Sequence, residues 1–165
     1  MKKVVVLSIV GLLAVFLSAC SANSQATNGL INPGDQVGDF VFSTADAKIA
    51  GLPHNYSCSE NGNELVCKTT AGTRVNISPS YFDDTQKGRI EELWSDSTHE
   101  MLIGDRKVNL QAFGYIDVPN PVMGSVRKWN VAMVTEKPGE FIVHHSIVFN
   151  GKPDEFTVTW IFTKP

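Results

Sequence analysis

The stretch KPGEFIVHHSIVFNGKPDEFTVTWIF, residues 137–162, decides the fold. Phe141, Val143, Ile147 and Phe149 share one side of a two-residue period, and Phe156, Val158, Trp160 and Phe162 alternate with Thr157, Thr159 and Thr163. That period belongs to an extended chain with one buried face. Lys137-Pro138-Gly139-Glu140 supplies a turn before the first run, and Asn150-Gly151-Lys152-Pro153 interrupts the two runs. Pro fixes φ there, and Asn or Gly accepts the positive φ that tight turns require. Immediately upstream, Arg127-Lys128-Trp129-Asn130-Val131-Ala132-Met133 carries its bulky apolar side chains on odd positions. Three sequential antiparallel strands are therefore predicted.

Working outward, His99 to Ile103, Gly104-Asp105 and Arg106 to Leu110 read as a hairpin with a Gly-containing two-residue turn. This brings the predicted sheet to about five strands. Phe40 to Ser43 and the segments around Cys58, Cys67 and Val75 add shorter strands. Asp84 to Leu93 reads as a helical turn or two, capped by Asp83 or Asp84. Asn32-Pro33-Gly34-Asp35 has the composition of a type II turn. No repeat or low-complexity stretch divides residues 30–165, which are expected to form one all-β domain, an antiparallel β-sandwich.

The same residues carry two resemblances. KPGEFIVHHSIVFNG followed by FTVTWIF resembles the ends of immunoglobulin-like and fibronectin-type modules of secreted bacterial proteins, which implies an immunoglobulin-like sandwich. Val108 to Gly114, Arg127 to Val131 and Thr159 to Phe162 are similar to a family of uncharacterised lipoprotein-like bacterial proteins, which implies no particular activity.

The other end of the chain reads as an address. Lys2 and Lys3 precede the uncharged run VVVLSIVGLLAVFLSA, the order of a signal peptide. From Val4 to Phe16 this run has 13 residues, short of the roughly 20 that a spanning helix needs. Leu17-Ser18-Ala19-Cys20 resembles the lipobox of bacterial lipoproteins. The resemblance implies that residues 1–19 are removed and that Cys20 carries diacylglycerol. It also implies that the new amino group takes a further acyl chain such as palmitate. Two or more chains hold a protein at a membrane where one lets it escape. Ser21 lacks the acidic character associated with inner-membrane retention, so sorting to an outer membrane is allowed. Residues 20–29 are then a lipidated Cys followed by a polar tether, SANSQATNG, of roughly 15–18 Å span.

Loss of Lys2 and Lys3 takes the formal charge from −3 to −5. No basic run is present, so nucleic acid is excluded as a partner and anionic headgroups are disfavoured. With Cys20 lipidated, Cys58 and Cys67 are expected to form a disulfide in an oxidising compartment. Their segment is symmetric about Gly62-Asn63, and a turn there sets the two cysteines directly opposite at a non-hydrogen-bonded pair. An Asn61-Gly62 turn would instead pair Cys58 with Leu65; the bridged register is favoured.

No motif for chemistry emerges. His144 and His145 are adjacent on a strand and point to opposite faces, with His145 read as a hydrogen-bonded core or rim residue. His54 and His99 join no metal-ligand spacing. A calcium loop starting at Asp83 would put Trp94 at its closing Glu position and fails. Gly124-Ser125 lacks the second glycine of a nucleophile elbow. No catalytic residue, metal site or cofactor is predicted. Trp129 and Trp160 match the inward strand phase, leaving Trp94 as the aromatic candidate for a binding surface. The expectation is a membrane-anchored, extracytoplasmic, non-catalytic binding or envelope-assembly module with a protein or glycan partner. An extracytoplasmic hydrolase and a metal-binding or metal-delivery protein are the alternatives.

Overall fold

The computed structural model describes residues 29–45, 56–62, 64–78, 80–83, 90–120 and 124–165. The signal stretch, the lipobox with Cys20, the tether up to residue 28, His54, Asn63 and Asp84 lie outside the described residues. In chain order the elements begin with β1 (Leu30–Ile31), β2 (Gln36–Val37), β3 (Phe40–Thr44), β4 (Ser57–Asn61) and β5 (Glu64–Thr70). They continue with β6 (Val75–Asn76), β7 (Ser80–Asp83), α1 (Ile90–Ser95), β8 (Ser97–Ile103), β9 (Arg106–Val108) and α2 (Leu110–Phe113). The last five are β10 (Tyr115–Asn120), β11 (Gly124–Trp129), β12 (Val131–Val134), β13 (Gly139–Phe149) and β14 (Lys152–Thr163).

The protein is all-β, a sandwich built on the predicted C-terminal hairpin. β13 and β14 pair antiparallel from Gly139↔Phe162 to Phe149↔Lys152. Asn150 and Gly151 turn between them, both at positive φ (50° and 71°), as a two-residue hairpin demands. The hairpin sits inside a seven-stranded sheet of order β1-β9-β8-β13-β14-β5-β4. Two pairings in that sheet, β1 with β9 and β14 with β5, are parallel. A four-stranded sheet, β2-β3-β12-β6, covers it. Phe40 and Phe42 of β3 meet Phe141 of β13 at 4.5 and 5.8 Å, and Phe40 meets Phe162 of β14 at 5.5 Å. A three-stranded sheet, β10-β11-β7, extends this second layer.

Three expectations need correction. Residues 127–133 are not one strand, because the chain leaves one sheet and enters another at Asn130. There the N–H donates to the Gly114 carbonyl (2.9 Å) and the carbonyl accepts from the Ala45 N–H (3.2 Å), both outside the strand ladders. β12 consequently pairs with β3 and β6, and the strand beside β13 is β8. The strand from Arg106 stops at Val108 rather than Leu110, since the Asn109 side chain accepts from the Ala112 N–H (3.3 Å) and caps α2. Finally, Asp83 ends β7, seven residues before α1 begins at Ile90, and so does not cap that helix.

Other readings hold. Asn32 to Asp35 form the expected turn, with Gly34 at φ 94° and the Asp35 N–H donating to the Asn32 carbonyl (3.0 Å). Trp129 and Trp160 are buried, and His145 lies on the inner face, stacked on Phe156 at 4.8 Å. His145 is not satisfied at Nε2, which has no hydrogen-bond partner among the described residues. Burial drives its pKa down to about 3, so it packs as a neutral ring.

The cysteine hairpin follows the favoured register: Cys58 pairs with Cys67 and Asn61 with Glu64. The sulfurs are bonded, and the Cα atoms stand 4.1 Å apart, the close spacing of a non-hydrogen-bonded pair. All five residues of β4 are exposed, so its hold on the sheet comes from the ladder and the bridge. Replacing both cysteines by Ser should lower unfolding stability by about 1–4 kcal/mol with β-type circular dichroism retained. Non-reducing peptide maps should show the two cysteine peptides linked; two free thiols in exported protein would contradict this.

Candidate functional site

A groove of about 480 Å³ is the candidate site. Its walls come from elements far apart in sequence: Trp94 from α1, Ser97 and His99 from β8, Val108 from β9, Trp129 from β11 and Leu30 from β1. Ser97 and His99 are two residues apart on a strand and therefore share a face. Trp94 lies at the centre, with its ring 4.8 Å from His99, 4.9 Å from Trp129 and 5.6 Å from Tyr115. These separations are those of favourable aromatic packing. Lys107, Asn109 and Gln111 give the groove a polar side.

The Ser97 hydroxyl donates to the Trp94 carbonyl (2.9 Å) and lies 2.6 Å from His99 Nε2. With the hydroxyl proton committed to that carbonyl, Nε2 carries the imidazole proton and Ser97 Oγ accepts it. Burial lowers the His99 pKa to about 4, so the ring is neutral at neutral pH.

Behind Trp94 stands a clamped guanidinium. Arg127 is 3% exposed and lies on β11 directly opposite Asp117 of β10. Its Nε and Nη2 donate to the Asp117 carboxylate (2.6 and 2.7 Å), and its Nη1 and Nη2 to the Glu91 carboxylate (2.8 and 2.7 Å). Its flat face lies 4.1 Å from the Tyr115 ring centre and 5.8 Å from that of Trp94. The hydrogen bonds to Asp117 and Glu91 raise the Arg127 pKa further, while the bond from Arg127 lowers that of Glu91. Glu91 belongs to α1, so this fork fixes the helix, and with it Trp94, against the three-stranded sheet.

A second concavity of about 480 Å³ lies on the seven-stranded sheet, where Glu100, His144, Ser146, Glu155 and Thr157 meet. His144 Nδ1 is 3.0 Å from the Thr157 hydroxyl. Among the described residues no group of three His, Cys, Asp or Glu could hold a metal ion. Of the residues singled out in the sequence, Trp94 does line the groove, and Cys58 and Cys67 do not. Trp129, expected as core, is both buried and part of the groove wall. Sequence reading missed the Ser97–His99 pair and the Arg127 clamp. The alternate spacing of Ser97 and His99 was a usable signal, whereas the reach of Glu91 to Arg127 is tertiary. Comparison with protein-family models, with curated proteins and with solved structures finds no match to this chain.

Arg127→Ala would leave two carboxylates facing each other without a cation, and should destabilise the protein by about 2–4 kcal/mol in urea unfolding. Glu91→Gln should cost less, because Glu91 is exposed and Asp117 keeps its partner. The sign in pH follows from the lowered Glu91 pKa. Its contribution is present above the ordinary carboxylate range and lost as pH falls through the lower folded value, so Glu91→Gln should blunt acid sensitivity below about pH 4.5. Equal stability of wild type and Arg127→Ala would remove the clamp from this account.

Proposed function

We propose that this chain is a lipid-anchored, extracytoplasmic protein whose β-sandwich is a non-catalytic binding module. The observation that carries the binding half is the aromatic groove, concave, of ligand size and walled by Trp94, Trp129 and His99. The address rests on the lipobox-like Leu17-Ser18-Ala19-Cys20 after a basic and then apolar leader. The immunoglobulin-like and lipoprotein-like resemblances of the C-terminal segments agree with an exported module. Leu30 lies in the groove lining, so the tether of residues 20–29 joins the domain beside its binding surface.

One observation favours a hydrolase as the second reading: a serine hydroxyl 2.6 Å from an imidazole inside a groove. The chemistry is poorly served. A ring with its pKa near 4 is a weak base for removing a hydroxyl proton at neutral pH. The Ser97 proton is directed to the Trp94 carbonyl rather than to the His99 ring. A fluorophosphonate probe should leave Ser97 unmodified at neutral pH; stoichiometric labelling there, lost in Ser97→Ala, would make the hydrolase the better reading.

The address is tested separately. Cells fed radiolabelled palmitate should label the wild-type chain, and Cys20→Ala should abolish both label and membrane retention while the domain still folds. Normal labelling of Cys20→Ala would reject the attachment site.

A further inference from the structure

We infer that β4 is the contact strand of a two-fold dimer, in which the β4 strands of two copies of this chain pair antiparallel about Ser59 and join their seven-stranded sheets into one. The inference goes beyond the binding reading above and does not depend on the groove.

A comparison of sheet edges singles out β4. Among the described residues the three sheets end in six edge strands: β1 and β4, β10 and β7, β2 and β6. β1, β2 and β6 are two residues long. β10 contains Pro119, and β7 meets β11 through a register shift between Val126 and Arg127. Short length, Pro and bulges are the means by which sheet edges avoid pairing with another chain. β4 is neither short, bulged nor interrupted by Pro. Its five residues, SCSEN, are all exposed, and they pair with β5 at five consecutive positions.

The cysteine pair fixes which main-chain groups face outward. The Cα atoms of Cys58 and Cys67 are 4.1 Å apart, so this is a non-hydrogen-bonded position of the ladder. Hydrogen-bonded and non-hydrogen-bonded positions alternate, so Ser57, Ser59 and Asn61 exchange bonds with β5. The N–H and C=O groups of Cys58 and Glu60 therefore point away from β5, off the end of the sheet. Because the bridge already holds this row in place, less ordering is left for association to bring about.

Such a row accepts an extended strand, and three features make a second β4 the fitting one. With Ser59 opposite Ser59, Cys58 faces Glu60 of the second copy and Glu60 faces its Cys58, each pair exchanging both N–H···O bonds. The one charge in the strand, Glu60, is thereby kept from standing directly opposite itself. In β5, Lys68 and Glu64 are exposed and lie beside Ser57 and Asn61. Ser57 meets Asn61 of the second copy, so Lys68 and the second copy's Glu64 share one row and one face, their Cα atoms roughly 14 Å apart with only short side chains between. The Glu64 carboxylate is held on that face by the Thr159 hydroxyl, which donates to Oε1 (2.9 Å). These long, opposite charges favour the register, and the two-fold axis repeats them. Finally, the side chains of β4 are short and polar. Recognition of a foreign strand draws its selectivity from side-chain pockets, whereas an isologous contact draws it from symmetry.

The experiment uses the full chain in native membranes. After mild copper–phenanthroline oxidation, Ser59→Cys should run as a disulfide-linked homodimer on non-reducing gels. Ser57→Cys should link to itself at least about fivefold less, because residue 57 faces residue 61 in this register. Co-expressed Ser57→Cys and Asn61→Cys chains should link to each other. Peptide maps check that Cys58 and Cys67 stay bridged in each variant. Glu60→Pro removes an N–H that faces outward and leaves the bonds to β5 intact. It should lower linking of Ser59→Cys at least about fivefold with circular dichroism unchanged. A measurement without new cysteines stands beside these. The mass of the purified full chain, by sedimentation equilibrium in a density-matched detergent, should rise toward two chains between about 10 and 300 μM, and Glu60→Pro should move that rise at least about tenfold upward. Equal linking of Ser59→Cys and Ser57→Cys, undiminished linking in Glu60→Pro, or a single-chain mass throughout would overturn the inference. Linking of Ser59→Cys to a protein of another mass would also overturn it, by giving the edge to a foreign strand.

Discussion

The pairing of β13 with β14 is the interaction on which the rest of the structure depends. Its eleven paired positions make the longest ladder among the described residues, and its inner face presents Phe141, Val143, Val158, Trp160 and Phe162 to the opposing layer. Each of these strands then serves as a template on its outer side, β13 for β8 and β14 for β5. The Phe40 and Phe42 contacts of the second layer land on the same hairpin. Without it neither the seven-stranded sheet nor the floor under the four-stranded one exists. Two-stranded ribbons are marginal in water, and this one gains its permanence from the strands and layer it recruits.

The hairpin was legible because everything that specifies it is local: a two-residue period, β-branched and aromatic side chains, and an Asn-Gly turn. The Cys58–Cys67 register was legible for the same reason, since the loop is short and symmetric. What escaped was set by distant partners. Nothing local in the sequence marks Arg127 and Lys128 for burial, yet both are buried, 3% and 7% exposed. Arg127 is accommodated by carboxylates 10 and 36 positions away, separations with no sequence period. The parallel alignment of Thr157–Thr163 on Glu64–Thr70 joins segments more than ninety residues apart and leaves no local mark either. The break at Asn130 looks like uninterrupted alternation, because a sheet change preserves the period while altering the partner.

The groove inherits this nonlocality. Trp94 was recognisable as an aromatic without a place in the strand pattern, but its companions arrive from β8, β9 and β11 through the sandwich topology. Its electrostatics are equally collective. Two imidazoles are held neutral by burial, His99 at the groove and His145 beneath Phe156, while desolvation also lowers the pKa of Lys128. Burial thus works against charge at these three groups, whereas at Arg127 two carboxylates supply an environment that a buried cation can tolerate.

The entry of the chain at β1 has a mechanical meaning. Ile31 is fully buried, its carbonyl accepts from the Asn109 N–H (2.9 Å), the Leu30 carbonyl accepts from Arg106 (3.2 Å), and Asn32 is bonded to the Asn109 side chain (2.9 Å). Tension applied through the residues before Leu30 runs along the axis of a strand paired in parallel with β9. Those bonds are then loaded together in shear instead of being peeled one at a time. A short strand at the margin of a sheet thus becomes the joint at which pulling forces enter the wall of the aromatic groove, to which Leu30 and Asn109 both belong.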